Sequence, residues 1–195
     1  ENGEGVMNIL LENVDKRFGE KVVFADFSLR MVNGSLTVIM GPSGCGKTTL
    51  LNMLMGLTEP DNGRIEGVPS RKAAVFQEDR LCEPFNALAN VRMVCAPNVD
   101  DSLIQSHLTQ LGLAERLSVP VKNLSGGMRR RVAIARAMLA DAEIILMDEP
   151  FKGLDDKLKF ETMDYVKQHR NHRTLIMVTH DREESLYMDG ELMIL

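Results

Sequence analysis

Gly41-Pro42-Ser43-Gly44-Cys45-Gly46-Lys47-Thr48 decides how this 195-residue chain is read. Its glycines, lysine and threonine fall at the spacing G-x-x-x-x-G-K-[ST]. An apolar run, Leu36–Met40, precedes it, and Leu50, Leu51, Leu54 and Leu57 follow at helical spacing. Strand, glycine loop and helix in that order form a cradle for phosphate. Glycines let main-chain N–H groups curl around phosphate oxygens where side chains would block approach, and the helix presents its positive N-terminal end to the anion. Lys47 is placed to neutralise the β- and γ-phosphates and Thr48 to ligate Mg²⁺, with Thr49 next to it in the same turn. The motif implies nucleoside-triphosphate binding and leaves the kind of NTPase open. A glycine-rich turn with a chance lysine is the plain alternative, and the flanking elements weigh against it.

Working outward, Ile144-Ile145-Leu146-Met147-Asp148-Glu149 reads as a buried strand ending in two carboxylates. Ligands gather at the carboxyl ends of strands in open α/β sheets. Asp148 is therefore placed to hold Mg²⁺, and Glu149 to act as general base on an attacking water. A solvated acidic turn before Pro150 is the bland reading, and the phosphate loop makes it the weaker one.

The rest of the chain shows no repeat, low-complexity stretch or linker, so one domain over residues 7–195 is expected. Residues 7–14 and 22–31 are β-like, separated by Phe18-Gly19-Glu20. Pro60-Asp61-Asn62-Gly63 is a turn, and residues 73–76 are another short strand. From about Arg80 to Ala140 the character is helical, with Leu103, Ile104, Leu108 and Leu111 marking one helix and residues 126–139 another. Strand character returns at 144–147 and Thr174–Val178, with a helix at about 155–169 between them, and a last strand lies near the end. The order predicts an α/β fold with a mostly parallel sheet and a helical insertion. Residues 7–79 and 140–195 would form the nucleotide-binding core and 80–139 the inserted helical part; residues 1–6 read as a disordered leader or tag remnant.

Composition excludes several classes. With 44% hydrophobic and 26% charged residues the chain is an ordinary globular one. A net charge of -5 argues against a protein built to grip nucleic acid backbone. No apolar run approaches the roughly 20 residues needed to cross a bilayer. Cys45, Cys82 and Cys95 lack metal-ligand spacing and read as reduced thiols of a cytosolic compartment. Met31, Met40, Met53, Met55 and Met147 sit in apolar patterns and read as core filler.

Leu124-Ser125-Gly126-Gly127-Met128 opens a helix carrying Val132, Ile134, Ala135 and Met138. Ser125 is a good N-cap, but two glycines in a first turn weaken a helix. Uncovered N–H groups there would make a second anion site. At this point the chain resembles the ATP-binding-cassette family, whose motifs occur in order along nearly its whole length. Leu124 to Met128 is similar to that family's LSGGQ signature, Gly153-Leu154-Asp155 to its D-loop, and Thr179-His180-Asp181 to its switch-histidine segment. Phe18 falls where the family stacks an aromatic ring on adenine, and Gln77 at the position contacting Mg²⁺ and the attacking water. Taken alone, Phe18 would be core packing, Gln77 a surface polar residue and His180 a structural hydrogen-bonder. Arg129, Arg130, Arg131 and Arg136 read as the solvated or interface face of the signature helix.

The resemblance implies a P-loop NTPase core with an N-terminal antiparallel β part, and a homodimer binding ATP and Mg²⁺ at its interface. Ser125, Gly126 and Gly127 of one chain would reach the γ-phosphate held by the other. His180 would sense that phosphate and Asp155 couple the two sites. Departures are Met128 in place of glutamine, and Lys152 where a small residue is usual. The segment Val75-Phe76-Gln77-Glu78-Asp79-Arg80-Leu81, with Pro84-Phe85, resembles importer cassettes for nitrate, sulfonate or taurine-like solutes. That implies an ATPase powering import through a separate permease, which would dock near Leu81 and on to Met93. A solute-binding protein would complete the system, and the chain would sit in the cytoplasm on the inner face of the membrane. Two alternatives stay open. One is a soluble member acting on a non-transport complex, though the paired cassettes, coiled-coil arms or zinc inserts usual there are not in this sequence. The other is a nucleotide sensor without turnover, which the intact Glu149 and His180 count against.

Overall fold

The computed structural model describes residues 8–195; the reading of residues 1–6 lies outside them. The chain enters as a hairpin of β1 (Asn8–Phe18) and β2 (Lys21–Val32), with Phe18 opposite Lys21 at its tip. Ile9, Leu11 and Val14 of β1 are all buried although the last two are three residues apart. A register shift there, with Asn13 at φ 49°, inserts the extra residue that keeps both on the core face.

A parallel sheet carries the remaining strands. These are β3 (Leu36–Met40), β5 (Lys72–Val75), β6 (Ile144–Asp148), β7 (Thr174–Val178) and β8 (Glu191–Ile194), ordered β5-β6-β7-β3-β8. Between β3 and β5 come α1 (Lys47–Met55) and β4 (Asn62–Glu66), which pairs antiparallel with β1 to complete a second sheet, β2-β1-β4. Between β5 and β6 lie α2 (Ala87–Arg92), α3 (Asp101–Gln110) and α4 (Gly126–Leu139). Then α5 (Asp156–His169) joins β6 to β7, and α6 (Arg182–Met188) joins β7 to β8. The mostly parallel α/β sheet, the antiparallel N-terminal sheet and the helices inserted before β6 match the expected fold class.

The central strands are apolar on both faces because both are covered. Ile39, Ile144, Leu146, Ile176 and Val178 pack with α1 and the β1–β2 hairpin. Val38, Ile145, Met147, Leu175 and Met177 pack with α4, α5 and the other helices. Each fully buried Ile, Leu, Val or Met contributes about 1.5–3 kcal/mol relative to exposure. This two-sided burial anchors the strand ends that carry the site.

The arginine reading needs correcting. Arg130 and Arg131 are buried, and Arg136 is half-buried. Arg130 donates to the carbonyls of Phe76 (2.6 Å) and Gln77 (2.5 Å), and Arg136 to those of Arg80 (2.8 Å) and Asp79 (3.0 Å). Arg131 donates to the Leu111 carbonyl. These carbonyls belong to connections that lack ladder partners, and long guanidinium forks supply the missing donors. Burial pushes the Arg131 and Arg136 guanidinium groups down from their ordinary range. Arg130, Arg131 and Arg136 are internal fasteners, whereas Arg129 stays partly exposed beside Asp79 and Glu83.

Candidate functional site

Four strands of the parallel sheet end at one rim. Gln77 follows β5, Asp148 and Glu149 end β6, His180 follows β7, and the glycine loop follows β3. At about 4.8 Å per strand these groups span roughly 14 Å. A cavity of about 640 Å³ opens there. It is lined by Phe18, Gly41, Pro42, Ser43, Gly44, Gly46, Lys47, Thr48, Thr49, Gln77, Asp148, Glu149 and His180, together with Lys21, Val23 and Lys152.

The loop's shape depends on Gly46. It adopts φ 108° as the N-cap of α1, and a Cβ there would lie 2.7 Å from Val23 and 2.8 Å from Phe24. The first turn of α1 has neither a side-chain cap nor an acidic residue, so its N–H groups remain available to an anion. Lys47 is buried with its ammonium donating to the carbonyls of Gly41 (2.7 Å) and Pro42 (2.9 Å), which fixes one positive charge beneath the loop. Cys45 does not line the cavity; its Sγ turns back to within 3.9 Å of Lys47 Nζ.

Thr48 Oγ1 donates to Asp148 Oδ2 at 2.7 Å, joining α1 to the end of β6. Burial pushes the Asp148 carboxyl up, with the Thr48 hydrogen bond working against it. Among the described residues no group of three or more His, Cys, Asp or Glu is arranged around a metal. A hydroxyl and one carboxylate, with Gln77 on the same cavity, suit an ion that keeps water and phosphate oxygens as its other ligands, as Mg²⁺ does.

Glu149 sits at φ 46°, a conformation that costs a non-glycine residue about 1–3 kcal/mol. Its N–H donates to the Val178 carbonyl at 2.9 Å, tying it to β7. Carboxylate Oε1 lies 2.8 Å from His180 Nδ1. Oε2 is buried, 3.1 Å from Lys152 Nζ, without an aligned hydrogen bond. Burial raises the Glu149 carboxyl, but Lys152 and then His180 outweigh it and hold the group below the usual carboxylate range. Glu149 is therefore an ionised acceptor at neutral pH.

Ser125, Gly126, Gly127 and Asp155 are not brought to this cavity. Ser125 Oγ caps α4 by accepting from Met128 N at 3.3 Å, and Asp155 caps α5 by accepting from Leu158 N at 3.1 Å. A Cβ on Gly126 would meet nothing within 4 Å. Among the described residues no neighbour requires a glycine there. Lys21 and Val23 were not singled out in the sequence. The signal for both was the hairpin, because strands folding back on Phe18 bring the start of β2 to the same rim.

A family profile described as ABC transporter matches residues 24–152. The aliphatic sulfonates import ATP-binding protein of Rhodococcus jostii (strain RHA1) is 37% identical over 191 residues, covering 96% of this chain and 70% of that protein. The probable sulfate/thiosulfate import ATP-binding protein of Chlorella vulgaris is 36% identical over 206 residues, covering 97% and 87%. The dimeric structure of a bacterial ABC transporter cassette superposes with a TM-score of 0.83 at 28% identity, covering 96% of this chain and 94% of that one. A profile matching well over half of the sequence, and relatives of this identity along nearly all of it, establish that the chain belongs to the ABC transporter family.

Proposed function

We propose that the chain is the ATP-hydrolysing subunit of an importer, working as a homodimer beneath a separate membrane permease. Phe18 stacks on the adenine, the loop and Lys47 hold the phosphates, and Thr48, Asp148 and Gln77 would hold Mg²⁺. When bound, that ion neutralises charge on the β- and γ-phosphates. Gln77 and Glu149 orient a water in line with the γ-phosphorus. Its oxygen bonds to phosphorus as the bond to the bridging oxygen breaks; ADP leaves with those electrons, and the water's proton passes to Glu149. His180 contacts the γ-phosphate. Ser125, Gly126 and Gly127 of the second chain close over it, so hydrolysis loosens the pair, with Asp155 linking the two sites.

The observation that carries this reading is the division of the motifs. One set gathers around the 640 Å³ cavity, while Ser125 and Gly126 stand exposed and away from it. A second copy related by a two-fold axis supplies each cavity with what it lacks. The importer assignment draws on the relatives' names and the Gln77–Phe85 region. No helix among the described residues is long and apolar enough to cross a membrane, so attachment to the inner face of the membrane goes through the permease. The permease and a solute-binding protein would select the solute. Glu149→Gln should bind MgATP, lose turnover by roughly 10²-fold or more, and elute from a sizing column as a dimer. A Glu149→Gln chain that stays monomeric with saturating MgATP contradicts the proposal.

A further inference from the structure

Lys21 and Lys152 are the lysines at the cavity that the reaction above does not use, and of the two it is Lys152 that pairs with Glu149. It stands on the turn after β6, three residues past Glu149, where the family resemblance leads one to expect a small residue. Its Nζ lies 3.1 Å from Glu149 Oε2, and His180 Nδ1 lies 2.8 Å from Oε1. Each oxygen of the carboxylate thus has a nitrogen neighbour that a water would have to share or displace. The two partners differ in setting. Glu149 is mostly buried, its side chain 16% exposed, whereas the Lys152 side chain is 55% exposed and ends a flexible stem. Lys152 and Glu149 also both line the adjoining cleft with Phe151, Leu154, Asp181 and Glu184, so the ammonium has other carboxylates to move toward outside the nucleotide cavity. Lys152 is the one charged partner of Oε2 among the described residues.

We propose that Lys152 is a positioning residue that restrains Glu149, occupying the oxygen a hydrolytic water would use until it swings into the neighbouring cleft. The restraint rests on the reading of Glu149 as the base. A half-exposed ion pair of this kind is weak, so its removal should change turnover modestly, by roughly two- to fivefold.

The test uses the full chain with Lys152→Met, Lys152→Ser and Lys152→Arg. Steady-state hydrolysis of MgATP should show kcat rising two- to fivefold for Met and Ser with KM unchanged, and returning toward the parent for Arg. A fluorescent ATP analogue titrated in magnesium-free buffer should bind all four proteins equally. If kcat falls or stays level in both the Met and Ser variants, or analogue affinity drops, the restraint is wrong and Lys152 serves the phosphate or nothing. If the parent itself does not hydrolyse ATP, the functional proposal fails instead.

Discussion

Cys45 is the residue whose surroundings change its expected behaviour most. Its Sγ lies 2.7 Å from where a Cβ on Gly41 would stand, and 3.9 Å from Lys47 Nζ. A group added to this partly exposed sulfur would crowd the loop at Gly41 and the lysine beneath it. Alkylation of Cys45 should therefore abolish ATP binding, and prior MgATP should slow the alkylation at least tenfold by fixing the loop. Peptide mass mapping separates this site from Cys82, which is exposed and should label at one rate in both conditions. Equal labelling of Cys45 with and without nucleotide would count against the placement. The loop was legible because its chemistry demands fixed residue types at fixed intervals. The direction of the cysteine was not, because a side chain between two glycines turns whichever way tertiary packing leaves open.

At the level of elements, strands buried on both faces and helices with a strong apolar period were readable, including Thr174–Val178 and the helix Gly126–Leu139. Strand β4 was not. Its residues, Asn-Gly-Arg-Ile-Glu, carry no period and look like a turn; they are a strand only because β1 offers an unpaired edge, with Leu11 opposite Ile65 and Glu12 opposite Arg64. The same limit hid the role of Arg130 and Arg136 on α4, whose carbonyl partners lie more than fifty residues back. Between α3 and α5 lies another contact that local sequence does not announce. His107 Nδ1 is 2.9 Å from Tyr165 Oη, His107 and His169 rings stand 4.5 Å apart, and His169 Nε2 is 2.7 Å from Gln110 Oε1. Burial pushes both imidazoles down, His107 further through His169, and His169 further through Arg173. Because the folded chain prefers both rings neutral, this stability is present above the ordinary histidine pKa of about 6.5 and drains away as pH falls through the lower folded values. His107→Gln keeps a partner for Tyr165 and removes one titrating ring. Its melting temperature should fall less than the parent's between pH 7 and pH 5; an identical or steeper fall would show that the pair does not control acid sensitivity.

For the molecule as a whole, we propose that the permease docks on the region from Leu81 to Met93. Asn90 is buried and acts as its frame, donating to the carbonyls of Cys82 (3.1 Å), Phe85 (3.3 Å) and Asn86 (3.0 Å) and accepting from Cys82 N at 2.8 Å. On that frame Phe85 and Met93 stand about half exposed. Phe85→Asp should leave ATPase activity of the isolated chain within a factor of two, and lower solute uptake by a reconstituted transporter at least tenfold. Unchanged uptake would move the docking surface elsewhere. The two guanidinium forks of α4 bear on the same question. Since Arg130 and Arg136 hold the main chain on both sides of Glu78, a shift of the helix behind Ser125 is expected to pull on the Gln77 backbone. Handle and crank share four hydrogen bonds, so a push from the membrane side would reach the nucleotide as a rotation for as long as those bonds hold.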